Sequence, residues 1–229
     1  MGWMTALRRA WKHPGGALKT GVALCRGDYY RYKYRLLGRK VIIGRRFRVY
    51  GRGFDIRGPG TVIFGDDCTI LTYKSGPTTP WTHSPDAVIR FADRVRISSS
   101  RFGCKKRIDV GYGAGITESR IMDTDFHDVE VSDKLRYDTQ GTAKPVIIGP
   151  NVWICTNSMV LKGVNIGENS VVGAGAVVFT NVPSNVVVTG NPARVVWHLK
   201  GKYSHAPSHD NQGKRVITLD DEVSKKAEK

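Results

Sequence analysis

The chain has 229 residues, with 36 Lys or Arg against 20 Asp or Glu, a formal net charge of +16 and four cysteines. That length holds one well-buried domain with appendages, and the absence of any eighteen-residue apolar run excludes a helical membrane span. Cys25, Cys68, Cys104 and Cys155 have neither close pairing nor metal-ligand spacing, so they argue against a disulfide framework and for free thiols in a reducing cytoplasm.

Residues 1–40 read as a basic, aromatic-rich extension. The first 52 residues carry fourteen Lys or Arg and one acid, Asp28, together with Trp3, Trp11, Tyr29, Tyr30, Tyr32 and Tyr34. Cations interleaved with aromatics suit a segment resting on an anionic membrane surface. Nucleic acid would attract the same patch, although no nucleic-acid partner is expected, and a cap over the open end of the following domain is the plain structural alternative. If the first turns are helical, Trp3, Met4, Leu7 and Trp11 share one side, and Pro14 with Gly15 and Gly16 is expected to end that helix. MGWMTALRRAWKHPGG lacks the apolar core and small-residue cleavage site of a secretory signal.

Residues 41–190 are expected to form a solenoid. In 146–183 a branched aliphatic residue returns at every sixth position: Ile148, Ile154, Val160, Ile166, Val172 and Val178. Four places further into each hexad stand Val152, Ser158, Val164, Ser170, Ala176 and Val182. A sandwich strand would need a period of two. A period of six with two inward positions means short extended segments joined by tight corners, three hexads to a coil. Residues eighteen apart then stack, Ile148 over Ile166, Ile154 over Val172, Val160 over Val178 and Gly149 over Gly167, with glycine expected where a corner needs positive φ. Upstream, Val110, Ile116 and Met122 keep the spacing, as do the pairs Ile43 with Val49, Phe64 with Ile70 and Phe91 with Ile97; Cys68 takes the small inward slot after Phe64.

Two stretches break the pattern. Residues 72–87, with three prolines, and residues 128–145 are expected to leave the coil as loops, where a solenoid puts its variable chemistry. Residues 191–200 are expected to form a C-terminal cap with a short helix, and 201–229, polar and aperiodic, a disordered tail.

Three segments, DTDFHD, IGPNVWI and VVGAGAVVFTNVPSNVVVTGNPARVV, resemble those of the hexapeptide-repeat acyltransferases, within them the sugar and polysaccharide O-acetyltransferases. The resemblance is strongest over 108–200. It implies an all-β, left-handed parallel β-helix, a hand that periodicity does not supply, since parallel crossovers are generally right-handed. It also implies a homotrimer with active sites between neighbouring solenoids, acetyl-CoA as co-substrate, and direct acetyl transfer to a sugar hydroxyl of a polysaccharide, lipopolysaccharide or lipid-linked glycan.

By that resemblance His127 is the general base. A sugar hydroxyl attacks a thioester at neutral pH only if a neutral imidazole removes its proton as the bond forms, help worth on the order of 10²–10⁴ in rate. The imidazole needs an acceptor on its other nitrogen; Asp125, two residues back along a strand, and Asp109, eighteen residues back, are the candidates, with Asp123 a weaker third. Trp153 matches a tryptophan beside the acceptor and the pantetheine arm. Thr156, Ala174, Gly175, Thr180 and Arg194 are expected along the coenzyme groove, Arg194 at the phosphates, and Asp123, Trp153 and Ser99 or Ser100 near the acceptor. Asn151 reads as a turn residue. The chain departs from the family in carrying Phe179-Thr180-Asn181 where relatives have a lysine.

Hydration by a metal-bound water demands three histidines at fixed offsets, and the repeat region holds only His127, with His83 in a loop, so no metal is expected. N-acetylation of an amino-sugar nucleotide and a non-catalytic scaffold remain as alternatives.

Overall fold

A computed structural model describes residues 14–72, 76–128, 135 and 140–200. The expectations placed on 1–13 and 201–229 lie outside the described residues. Eighteen short parallel strands wind through three faces. The first holds β1 (Val41–Ile43), β3 (Thr61–Phe64), β6 (Val88–Phe91), β9 (Arg107–Val110), β12 (Val146–Ile148) and β15 (Asn165–Ile166). The second holds β2 (Arg48–Tyr50), β4 (Thr69–Leu71), β7 (Arg96–Ser98), β10 (Gly115–Thr117), β13 (Trp153–Ile154), β16 (Val171–Val172) and β18 (Val186–Thr189). The third holds β5 (Thr79–Thr82), β8 (Arg101–Cys104), β11 (Arg120–Met122), β14 (Met159–Val160) and β17 (Val177–Val178). Within the coils consecutive strands do not pair; each pairs with a strand one coil away, two or three elements on, which defines a parallel β-helix.

The registers follow the hexads. Ile148 pairs with Ile166, Ile154 with Val172 and Val160 with Val178, and all six are buried, as are Val152, Ser158, Val164, Ser170, Ala176 and Val182. Two inward polar slots are satisfied within the lumen: Ser158 donates to the Cys155 carbonyl and Ser170 to the Pro183 carbonyl. Towards the first coils the lumen fills with rings instead, Phe47, Phe54, Phe64, Phe91 and Phe102, with Phe64 and Phe91 stacked 4.5 Å apart.

The corner glycines have a different cause from the expected one. Gly149 and Gly167 do not adopt positive φ; a Cβ on Gly149 would come 2.8 Å from the Glu168 nitrogen, and one on Gly167 2.4 Å from the Ser184 nitrogen. Close coil stacking excludes a side chain there. Positive φ falls two residues later, on Asn151 and Asn169, and again on Asn185 in the next coil; these side chains hydrogen-bond one above another at 3.0 Å.

The phase slips at Met122. Ile121, not Met122, faces the lumen and pairs with Phe102 and Val160, because the corner after Ile116 takes five residues rather than six. Glu118 sits there at φ 46, and Ser119 ties the shortened turn to the Thr117 and Cys155 carbonyls. The coil before does the same through Ser99 at φ 42. One residue less turns each following side chain to the opposite face, so Met122 and Gly103 look outward.

Residues 72–87 are not one excursion. Thr79–Thr82 form β5, a regular third-face strand with Thr79 opposite Arg101 and Trp81 opposite Gly103. Its inward residues are Pro80 and Thr82, opposite Phe102 and Cys104, with Thr82 accepting from the Gly60 amide, so the aliphatic signal is missing although the strand pairing is intact. At the other end, residues 194–198 form a strand rather than a helix: β19 (Arg194–His198) folds back antiparallel on β18 through Gly190, whose φ is 96. β-branched Val195 and Val196 favour that strand.

Before the first coil lies α1 (Pro14–Leu36). Pro14 begins this helix, where a missing amide hydrogen costs nothing in a first turn. The helix packs over β1 and β2. A Cβ at Gly27 would meet the Phe47 carbonyl at 1.9 Å, and Tyr34 is 1% exposed, its hydroxyl accepting from the Ile56 amide at 2.7 Å and donating to Asp55. Burial pushes the Tyr34 phenol up to about 12.

Candidate active site

Each coil turns from its third face into the next first face along one edge, and that edge gathers His83, Lys105, His127, Lys162 and Thr180. His127 lies just past β11, on the excursion that returns at β12; it is exposed, and its amide bonds the Asp125 carbonyl at 2.8 Å. The excursion is closed at its base by the Thr124–Ala143 bridge and by the Gly141 amide on the Phe126 carbonyl, 3.2 Å away.

The three aspartates take separate tasks. Asp123 is fully buried and accepts from the amides of Lys105, Lys106 and Arg107 at 2.6–2.7 Å, with the Cys104 thiol at 3.4 Å. Its oxygens are spent on the neighbouring coil's turn, so the acceptor-contact role expected of it is not available. Burial pushes the Cys104 thiol up. Asp125 is bound by Lys162 and Thr142, not by the His127 ring. Asp109 lies within β9 on the first face, opposite Arg90 and Ile147, rather than one coil beneath His127; the five-residue corner and the excursion break the eighteen-residue step. Its Oδ2 meets Arg107 Nε at 2.5 Å and its Oδ1, buried, has no hydrogen-bond partner among the described residues. No hydrogen bond joins the His127 ring to any of the three.

The residues expected near the coenzyme fall elsewhere on the same chain. Trp153 stands outward on the second face, 57% exposed, its ring lying beside Gly115. Thr156, Ala174 and Gly175 share the edge between second and third faces: the Gly175 amide donates to the Thr156 carbonyl at 2.9 Å, Ala174 is exposed, and Gly175, at φ 71, has open space where a Cβ would be. That bare stretch of backbone leaves room for a chain bearing amides to approach closely. Thr180 is exposed at the edge of His127, and exposed Arg194 opens β19, its guanidinium donating to the Ala193 carbonyl. Ser99 sits at the corner after β7, half-buried, while Ser100 turns inward and donates to the Ser98 carbonyl. A single chain therefore does not bring His127 together with Trp153 or with the Thr156 edge.

A cavity of about 430 Å³ was not anticipated. It lies on the outer third face, lined by Arg57, Thr79, Trp81, His83, Arg101, Gly103, Arg120, Met122 and Phe126. Trp81 and His83 stack at 4.7 Å, and the Phe126 ring meets His83 edge-on at 4.7 Å in space that a side chain on Gly103 would fill. Phe126 adjoins His127 in sequence, so the cavity ends at the candidate base. Burial, foremost, holds His83 below the ordinary histidine value, Lys105 adding to this and Asp123 opposing it. The signal available in the sequence was Trp81 and His83 two apart in an unassigned stretch, a strand spacing masked by flanking prolines. Among the described residues no group of His, Cys, Asp or Glu is placed to hold a metal ion.

A three-faced solenoid of parallel strands, with hexad-spaced inward residues and an exposed histidine at an excursion, is the architecture of hexapeptide-repeat proteins. Over residues 145–180 the chain matches the family described as bacterial transferase hexapeptide (six repeats). Galactoside O-acetyltransferase of Escherichia coli (strain K12) is 40% identical over 75 residues, 33% of this chain and 37% of that protein. The chain thus spans under two-fifths of the length of such curated relatives. The crystal structure of the polysialic acid O-acetyltransferase OatWY superposes with a TM-score of 0.54 at 22% identity, covering 73% of this chain and 87% of that one. An N-acyltransferase from Bacillus cereus, AntD, in complex with dTDP-4-amino-4,6-dideoxyglucose and coenzyme A, gives a TM-score of 0.52 at 17% identity over 75% and 89%. These likenesses show the fold, a left-handed parallel β-helix.

Proposed function

We propose that the protein is an acetyl-CoA-dependent O-acetyltransferase acting on a sugar hydroxyl of a surface polysaccharide, lipopolysaccharide or lipid-linked glycan. The observation that carries this reading is the exposed His127 at the mouth of the excursion, beside an aromatic cavity, in a chain that is similar over a third of its length to galactoside O-acetyltransferase. Acetyl-CoA supplies the activated acyl thioester. The hydroxyl oxygen attacks the thioester carbon as His127 takes its proton; a C–O bond forms, the C–S bond breaks, and the proton passes on to the leaving thiolate. No covalent enzyme intermediate and no metal is needed.

Among the described residues no carboxylate hydrogen-bonds the His127 ring, and Trp153 with the Thr156–Gly175 edge lies on other parts of the solenoid. Both facts support a homotrimer in which one copy's His127 faces a neighbour's coenzyme residues, a ring closed by three flat faces. A cytoplasmic site of action, at the inner face of a membrane through residues 1–40, fits the four unpaired cysteines and the basic extension. His127→Ala should lower turnover by about 10²-fold or more with coenzyme A binding and thermal stability unchanged; turnover within tenfold of the parent would remove His127 from the mechanism.

A further inference from the structure

The outer third face carries two ladders of side chains. In one, Thr79, Arg101 and Arg120 stand opposite one another on β5, β8 and β11. In the other, Arg57, Trp81, Gly103 and Met122 do so. Adjacent parallel strands lie about 4.8 Å apart, so the exposed guanidinium-bearing chains of Arg101 and Arg120 rise from neighbouring rungs of one column. Like charges placed so are destabilising unless something compensates them. Asp55 takes Arg57 Nε at 2.8 Å, but no carboxylate forms a salt bridge with Arg101 or Arg120 among the described residues. Beside this uncompensated pair lies the aromatic floor of Trp81, His83 and Phe126, with Trp81 43% exposed.

Resting on the acetyltransfer reading above, we infer that this cavity holds the acceptor and that the acceptor is an acidic glycan, its carboxylate clamped by Arg101 and Arg120 and an apolar sugar face lying on the aromatic floor. Two planar guanidinium groups on one column offer paired N–H donors to a carboxylate, a charge-assisted contact worth more than a neutral hydrogen bond. An aromatic floor suits the C–H face of a pyranose ring. Phe126 at the cavity's end sets the bound chain beside His127.

Binding can be read without turnover. By titration calorimetry on the full chain, tetragalacturonate and a hyaluronan tetrasaccharide should bind at least tenfold more tightly than maltotetraose, with affinity falling as salt rises. Arg101→Gln and Arg120→Gln should each weaken the acidic ligands about tenfold while leaving maltotetraose and coenzyme A unaffected. Both positions are exposed, so unchanged melting temperatures check the fold. Equal affinity for acidic and neutral probes, or no binding of either, overturns the inference. Loss of coenzyme A binding in the variants with unchanged glycan binding also overturns it, by assigning the arginines to the nucleotide phosphates. If acidic ligands bind as described yet no acetyl transfer occurs, the acetyltransfer reading fails and the acidic clamp stands.

Discussion

Lys162 holds the Asp125 carboxylate across the edge where His127 leaves the solenoid. This acid, two residues before the histidine, is thereby committed to pinning the base of the excursion, with Thr142 as a second partner. Both side chains are about a quarter exposed, which makes this pair worth more than a surface one yet screened by solvent.

A double-mutant cycle with Asp125→Asn and Lys162→Met should therefore give a coupling energy of about 1 kcal/mol by chemical denaturation. A value indistinguishable from zero would mean the pair does not fix the excursion.

Asp123 is predicted to be structural. Asp123→Ala leaves three buried amides without an acceptor, a loss of about 3 kcal/mol or more. Melting temperature should drop sharply, and any activity left in the folded fraction should show an unchanged KM.

Among the glycines, Gly167→Ala forces a methyl group into backbone atoms of the next coil, whereas Gly175→Ala meets nothing and suffers only the cost of positive φ. Urea unfolding should show Gly167→Ala losing about 2–3 kcal/mol and Gly175→Ala about 1–2 kcal/mol. Equal losses would refute the close-stacking explanation of the corner glycines.

His83 stays neutral in the folded protein at a pH where the unfolded chain's histidine is already charged. The unfolded state then binds more protons, so stability falls as pH drops through and below the ordinary histidine value of about 6.5. His83→Gln should flatten that part of the curve of melting temperature against pH; a variant tracking the parent at every pH would place the acid sensitivity elsewhere.

Peripheral membrane attachment is tested by removing residues 1–13, not 1–40. A chain starting at residue 41 loses Tyr34 and the helix that covers the first coil, so its failure to bind vesicles would mean only that it had unfolded. The version starting at Pro14 should sediment less with anionic vesicles than the full chain, and the difference should shrink with salt. Equal partitioning would leave residues 1–13 without a membrane role.

The repeat itself was legible in the sequence wherever each coil obeys one rule. From Ile148 to Val178 every inward residue and register pair follows from hexad spacing, because the lumen admits one apolar side chain per short strand and leaves no freedom of phase. What the sequence alone could not decide is where that rule is broken by contacts far apart in the chain. Ser119 bonding the Cys155 carbonyl shortens a corner and sends Met122 outward; an inward Pro80 and an inward Thr82 satisfied by main-chain partners let β5 pass for a loop; three amides of the adjoining coil claim Asp123. The candidate histidine was readable from its motif, but the cavity beside it was not. Its walls, Arg57, Trp81, Arg101, Arg120 and Phe126, come from four successive coils, and only the stacking of strands one turn apart places them on a single face.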